Sequence, residues 1–251
     1  MDLVTSDGVR LVARHWRARS PRASVVLAHG FAAGVAELRV VALAEALRDA
    51  GLDVLAYDAR GHGGSGGAAT LGDRERLDVA AAVEAVAADG PVVIVGASMG
   101  AIAALRYASS APGTVAGVVS VSCPARWRLP RNARGVLSAL LTQTGFGRRL
   151  ARRRMGVRIA PTGTRAVPPV ELVGSVDAPV TIVHGRRDPF IAVGDAEVLY
   201  AAALEPRQLV VVDDLAHAFD GPAVAPVLAG VEWCLAQADA RDPLGRRAGA
   251  A

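Results

Sequence analysis

The sequence predicts an α/β protein with a mostly parallel central sheet and helices on both faces. Two observations carry that expectation. Short runs of branched apolar residues (Val25–Ala28, Val54–Tyr57, Val92–Val95, Val115–Ser122, Val180–Val183 and Leu209–Val212) alternate along the chain with longer stretches of helical periodicity. Apolar runs this short, without polar alternation, read as strands buried on both faces, the pattern of parallel strands joined by crossing helices. In addition, residues able to do chemistry gather just after these runs. Open parallel sheets bind their ligands beyond the carboxyl ends of the strands.

Taken in order, Val9 to Trp16 alternates in the manner of an antiparallel edge strand. Leu38 to Ala50 has helical spacing and stops at Gly51. Asp73 to Asp89 reads as a helix whose charged residues mark a wet face. After Cys123-Pro124 the periodicity breaks, and prolines at 124, 130, 161, 168 and 169 mark an insertion. The rhythm resumes with the strand from Val180, a helix from Val193 to Leu204, the strand from Leu209 and a helix from about Val224 to Ala236. The expected organisation is a core of residues 1–123 and 174–237, an insertion at 124–173 and a frayed tail at 238–251.

The most informative stretch is Val92-Val93-Ile94-Val95-Gly96-Ala97-Ser98-Met99-Gly100. A buried strand runs straight into Gly-x-Ser-x-Gly, and an alanine-rich helix follows. A serine between strand and helix must turn sharply and is expected at positive φ, a strained position for a residue with a Cβ. Gly96 and Gly100 stand where side chains would collide. Such a turn lifts the Ser98 hydroxyl above the sheet and aims the first N–H groups of the helix at the same spot.

Hydrophobic residues at 52% and charged residues at 21% indicate a globular chain rather than a disordered one. All 28 basic residues are arginine, and the chain is rich in alanine, glycine and valine. Genome composition therefore accounts for part of the high pI. The two cysteines, Cys123 and Cys234, give no disulfide framework and read as buried thiols. The first residues carry early acids and no apolar stretch of signal length, so a cytoplasmic location is expected.

A serine nucleophile needs a base, and the base needs an orienting acid. Of five histidines, His15 and His184 fall in strands and read as structural, while His29 and His62 precede glycines in loops. His217, in the loop after the last strand, can swing back over the sheet toward Ser98. Asp188 follows the strand from Val180 at the same end of the sheet. Asp213 and Asp214 are rivals, but they lie too close to His217 in sequence to pair with it easily. The Met99 N–H at the helix start offers one oxyanion donor, and the His29-Gly30-Phe31 turn offers the Phe31 N–H as a second.

Together, Gly96-Ala97-Ser98-Met99-Gly100, His29-Gly30-Phe31, Asp58-Ala59-Arg60-Gly61-His62-Gly63-Gly64-Ser65, His184-Gly185-Arg186-Arg187-Asp188 and Ala216-His217-Ala218-Phe219 resemble the α/β-hydrolase fold family. The similarity is to its serine esterase, lipase and serine-aminopeptidase-like members. The resemblance implies the α/β-hydrolase fold with a short cap insertion at 124–173. It implies Ser98 as nucleophile, Asp188 as acid, His217 as base, and Phe31 and Met99 as oxyanion donors. It calls for no metal and no cofactor. The loop from Asp58 to Ser65 shapes the entrance in such proteins and reads as structural here.

Residues 124–170 hold eleven arginines and no Asp or Glu, while the rest of the chain has 17 arginines against 24 acids. Val136, Leu137, Leu140 and Leu141 have helical spacing and are expected to face a pocket or an acyl chain, with His29, Gly30 and Phe190 as further substrate contacts. Phe146, Leu150 and Met155 would extend that surface. The arginines at 148, 149, 152, 153, 154 and 158 form a solvated face, pair with acids of the body, or attract an anionic substrate or lipid surface. The expected activity is hydrolysis of small or medium carboxylic esters through an acyl-enzyme. A thioesterase or small-residue aminopeptidase with the same triad, and a non-catalytic ligand-binding module, are the alternatives. Nucleic acid is not an expected partner, because only Trp127 accompanies the arginines as a stacking aromatic.

Overall fold

A computed structural model describes residues 1–127, 142–161 and 167–241. Its centre is an eight-stranded sheet: β1 (Asp2–Val4), β2 (Arg10–Trp16), β3 (Ser24–Ala28), β4 (Asp53–Tyr57), β5 (Val92–Ala97), β6 (Gly117–Val121), β7 (Val180–Gly185) and β8 (Arg207–Val212). The spatial order is β1-β2-β4-β3-β5-β6-β7-β8. The β1–β2 and β2–β4 pairs are antiparallel and every other neighbouring pair is parallel. β2 is not the edge strand its alternation predicts. Asp2–Val4 pairs outside it, and a three-residue strand is too short to show a period in sequence.

The strands β3 to β7 are buried on both faces because each face meets its own helices, whereas the edge strand β8, expected to be buried, is only half-buried. Val25, Leu27, Val93, Val95 and Ala97 point to one core with α1 (Leu38–Asp49) and α7 (Val224–Arg241). Val26, Ala28, Val92 and Ile94 point to the other, with α2 (Glu75–Glu84), α3 (Met99–Ser110), α5 (Pro169–Val173) and α6 (Val193–Ala202). The period of two that splits β3 and β5 between the cores is the pleat itself. The last helix continues to Arg241, five residues past its expected end, so residues 238–241 are helical.

The chain runs from β3 outward to β4 and then crosses back to place β5 on the other side of β3. Strand order reverses between β3 and β5, and a crevice opens at such a point at the carboxyl ends. Registers Ala28↔Gly96, Ala97↔Val121, Val121↔Val183 and Gly185↔Val212 align those ends along one rim.

The helix at residues 75–84 departs from expectation. Glu75 and Asp78 are buried rather than on a wet face. The loop from Asp58 to Gly72 folds over the start of α2 and needs acceptors for its backbone. Asp78 accepts from the Arg60 N–H and Nε, both at 2.8 Å, and Glu75 accepts from Thr70 N and Gly72 N. Burial pushes Asp78 up to about 6 despite the Arg60 guanidinium beside it.

Within the insertion, α4 (Gly145–Met155) is capped by Thr144, whose hydroxyl accepts from Gly147 N at 2.9 Å, and ends at Gly156 with φ of 69°. The strand-like return is tied to the 58–69 loop: Ala69 N donates to Arg158 O at 2.7 Å and Arg158 N to Gly61 O at 2.8 Å. A Cβ on Gly61 would lie 2.3 Å from that Arg158 oxygen, which is why the close approach needs glycine. Val136, Leu137, Leu140 and Leu141 lie outside the described residues.

Candidate active site

The elbow forms as its sequence requires. Ser98 sits between β5 and α3 at φ 51°, ψ −110°. A Cβ on Gly96 would lie 2.5 Å from Gly100 O, and one on Gly100 would lie 2.1 Å from Ala28 O. Both glycines are therefore fixed by backbone contact, and Gly100 packs the helix start directly on the end of β3. Gly30 faces the same point, its Cβ position 3.6 Å from the Ser98 Cβ. Neither the Phe31 nor the Met99 N–H has an acceptor among the described residues. The first N–H groups of a helix lack intrahelical acceptors in any case.

Asp188 and His217 meet across the loops after β7 and β8. His217 Nδ1 lies 2.6 Å from Asp188 Oδ2. The carboxylate is fully buried, and its other oxygen accepts from Phe190 N at 2.8 Å and Ile191 N at 3.0 Å. Pro189-Phe190-Ile191 thus wraps the carboxylate. Burial alone would raise the Asp188 pKa, but the His217 hydrogen bond and charge with the two N–H donors hold it below the usual value. The imidazole therefore has an ionised partner that fixes Nδ1 as the donor and leaves Nε2 for another group. The loops are pressed together: a Cβ on Gly185 would lie 2.2 Å from Leu215 O. Asp213, the rival acid, turns outward and pairs with Arg186 at 2.7 Å.

Sequence reasoning missed Ser122. It follows β6 at φ 49°, is fully buried, and its hydroxyl accepts from Ala218 N at 3.1 Å. Ala218 itself has φ 56°. Among the described residues, Ser98, Ser122 and Ala218 are three of five non-glycine residues at positive φ, and Ala32, beside the Phe31 N–H, is a fourth. Strain of this kind is kept only where the surroundings over-determine it. No local signal marked Ser122, because its partner lies 96 residues away. Its neighbour Cys123 is no competing nucleophile, since burial pushes the thiol up to about 12.

His29 differs from its expected role as a substrate contact. Its ring is 2% exposed, with Nδ1 on Gly30 O at 2.7 Å and Nε2 accepting from Ala59 N at 2.9 Å. Both nitrogens hold backbone, so the ring shapes the turn after β3 and offers no polar atom to a ligand. Burial and the nearby His62 lower its pKa to about 4. His62 holds Ala32 N in the same way at 3.2 Å, and Asp58 bridges Val35 N and Gly64 N. The 58–65 loop is a brace, as its reading implies. His15 pairs with Asp53, and His184 Nε2 lies 3.1 Å from Ile191 O, both inside the structure. Phe190 is 52% exposed, its ring centroid 5.0 Å from that of His217. Phe146 and Met155 are exposed rather than turned toward a pocket. Among the described residues no three His, Cys, Asp or Glu side chains are grouped to hold a metal, and no helix is long and apolar enough to cross a membrane.

Residues 19–161, more than half the chain, match the family described as Serine aminopeptidase, S33. The chain belongs to that family. The uncharacterized protein YqkD of Bacillus subtilis (strain 168) is 30% identical over 207 residues, 78% of this chain and 65% of that protein. A human monoglyceride lipase is 35% identical over 127 residues, 48% of this chain and 41% of the lipase. The chain thus spans less than two thirds of either relative. An esterase of Pyrococcus furiosus superposes with a TM-score of 0.68 at 22% identity, covering 95% of this chain and 89% of the esterase, which establishes the shared fold. The S33 chain described here has the α/β-hydrolase fold that its motifs imply.

Proposed function

We propose that this protein is a serine hydrolase that cleaves carboxylic esters of small or medium acyl groups. Ser98 is the nucleophile, His217 the general base, Asp188 its orienting acid, and the Phe31 and Met99 N–H groups the oxyanion donors. The observation that carries this reading is the His217–Asp188 hydrogen bond at the rim where Ser98 sits on a strained turn. His217 Nε2 takes the hydroxyl proton as Ser98 attacks the carbonyl carbon. The carbonyl oxygen gains charge against the two N–H donors, and collapse expels the alcohol, which His217 protonates. Water then attacks the acyl-enzyme, giving its proton to the same ring, and the carboxylic acid leaves.

An ester is favoured over the aminopeptidase substrate of the family's description by charge. An aminopeptidase must hold an ammonium group near its nucleophile. The insertion between residues 124 and 170 has no carboxylate to pair with such a group. The thioesterase reading uses the same triad and differs only in the leaving group. The test is a comparison of nitrophenyl esters of increasing acyl length, acyl thioesters and aminoacyl nitroanilides. Esters are expected to give the highest kcat/KM. Faster cleavage of an aminoacyl nitroanilide than of any ester would overturn the assignment.

A further inference from the structure

The arginine-rich helix of the insertion is amphipathic in an unusual sense. Gly147 and Ala151 are buried, and Ala151 packs with Ala69, Val157 and Ile159 in a small apolar cluster that Phe31 borders. The inner face of α4 therefore rests on the oxyanion side of the rim. At 100° per residue, the directions within roughly 60° of pointing away from that cluster belong, apart from Gly145 which has no side chain, to Phe146, Arg149, Arg152 and Arg153. All four are exposed, Phe146 at 77%.

Among the described residues the arginines of α4, Arg148, Arg149, Arg152, Arg153 and Arg154, have no carboxylate partner within salt-bridge distance. Arg158, next along, is different: it donates to Gly67 O at 3.0 Å and to Ser65 O, and so belongs to the fold. Other described arginines, such as Arg17, Arg19, Arg76 and Arg187, also lack a carboxylate partner, but five of the set fall on this one helix, whose basic last turn suits the helix dipole.

We infer that the outer face of α4, Phe146 with Arg149, Arg152 and Arg153, docks reversibly on an anionic lipid bilayer and so holds the rim about one helix diameter from the lipid surface. Three observations favour a bilayer over a soluble anion. The guanidinium groups lie on the exposed side of the helix, facing away from its packed cluster. They sit on the opposite side of the helix from the rim, so they cannot touch a substrate bound beneath it. And a phenylalanine stands within the same arc, where only a partner with an apolar layer under a charged skin accepts both. Each arginine near an anionic surface adds about 1 kcal/mol, so three give an association that salt readily reverses. The docking itself is independent of the ester reading; the advantage of reaching lipid esters rests on it.

The experiment is co-sedimentation of the full chain with vesicles of phosphatidylcholine alone or mixed with phosphatidylglycerol, at low and high salt. Binding is expected to the mixed vesicles only and to fall at high salt. Reversal of Arg149, Arg152 and Arg153 to Glu should weaken it on the order of 100-fold, and Phe146→Ser about fivefold. A milder Arg→Gln triple variant guards against misfolding, with the melting temperature of each variant checked against the parent. Equal binding to neutral vesicles, or an unchanged affinity in both triple variants, would overturn the inference. Binding by Ser98→Ala should match the parent, and hydrolysis of a soluble ester is scored separately. Loss of one reading therefore leaves the other measurable.

Discussion

Replacing Ser122 by alanine tests how far the base is held by a residue that touches neither substrate nor imidazole. The Ser122 hydroxyl accepts the Ala218 N–H at 3.1 Å, immediately after His217, and both Ser122 and Ala218 are at positive φ. Removing the hydroxyl leaves that N–H without its acceptor, at a cost of about 1–3 kcal/mol. If the loop relaxes by releasing its strain, the cost falls on the reactive position of His217. At 1.36 kcal/mol per decade, kcat then drops between about 5- and 150-fold. Ala218 is half-buried, so water takes up part of the loss and the lower end is expected. KM should hold, because the Ser122 hydroxyl is buried on Ala218 N, and Ser122→Thr should restore much of the rate. Steady-state kinetics on a soluble nitrophenyl ester, with a urea unfolding curve for each variant, makes the measurement. An unchanged kcat with lowered stability would refute the reasoning and reduce Ser122 to a structural hydrogen bond.

Two further outcomes follow from the same geometry. Asp188→Asn keeps the Phe190 and Ile191 hydrogen bonds but turns an acceptor toward the imidazole into a donor, favouring the tautomer with its proton on Nε2; kcat should fall about 10⁴-fold with little loss of stability, and a fall under tenfold would remove Asp188 from the mechanism. His29 is depressed from 6.5 to about 4, so between those values the unfolded chain binds a proton that the folded one refuses. Stability should therefore fall by up to about 3 kcal/mol as pH drops from 6.5 to 4 and this contribution should level off below. The His29→Gln variant should show a flatter dependence in urea titrations, and an identical slope would contradict the buried neutral ring.

The sheet and the elbow were legible because their rules are local. Gly96, Ser98 and Gly100 announce a strained turn within five residues, and runs such as Val92–Val95 announce buried strands. Asp188 and His217 were legible by position, since both follow strands at one edge. Features that depend on distant partners were not. Asp78 looked solvated until Arg60 was seen folded onto it, and His29 looked available until Ala59 N was found on its ring. Phe146 read as pocket lining because helical spacing names a face but not the side on which the core lies; Gly147 and Ala151, the small residues, mark that side. The three-residue β1 and the Ser122 hook carry no periodic signal at all.

The most direct measurement is reaction of the whole chain with a fluorophosphonate, followed by peptide mass mapping. The account predicts one adduct, on Ser98, formed more slowly when Asp188 is changed to Asn and absent in Ser98→Ala. Labelling that persists in Ser98→Ala, or an inert Ser98 in a folded chain that still hydrolyses esters, would contradict it.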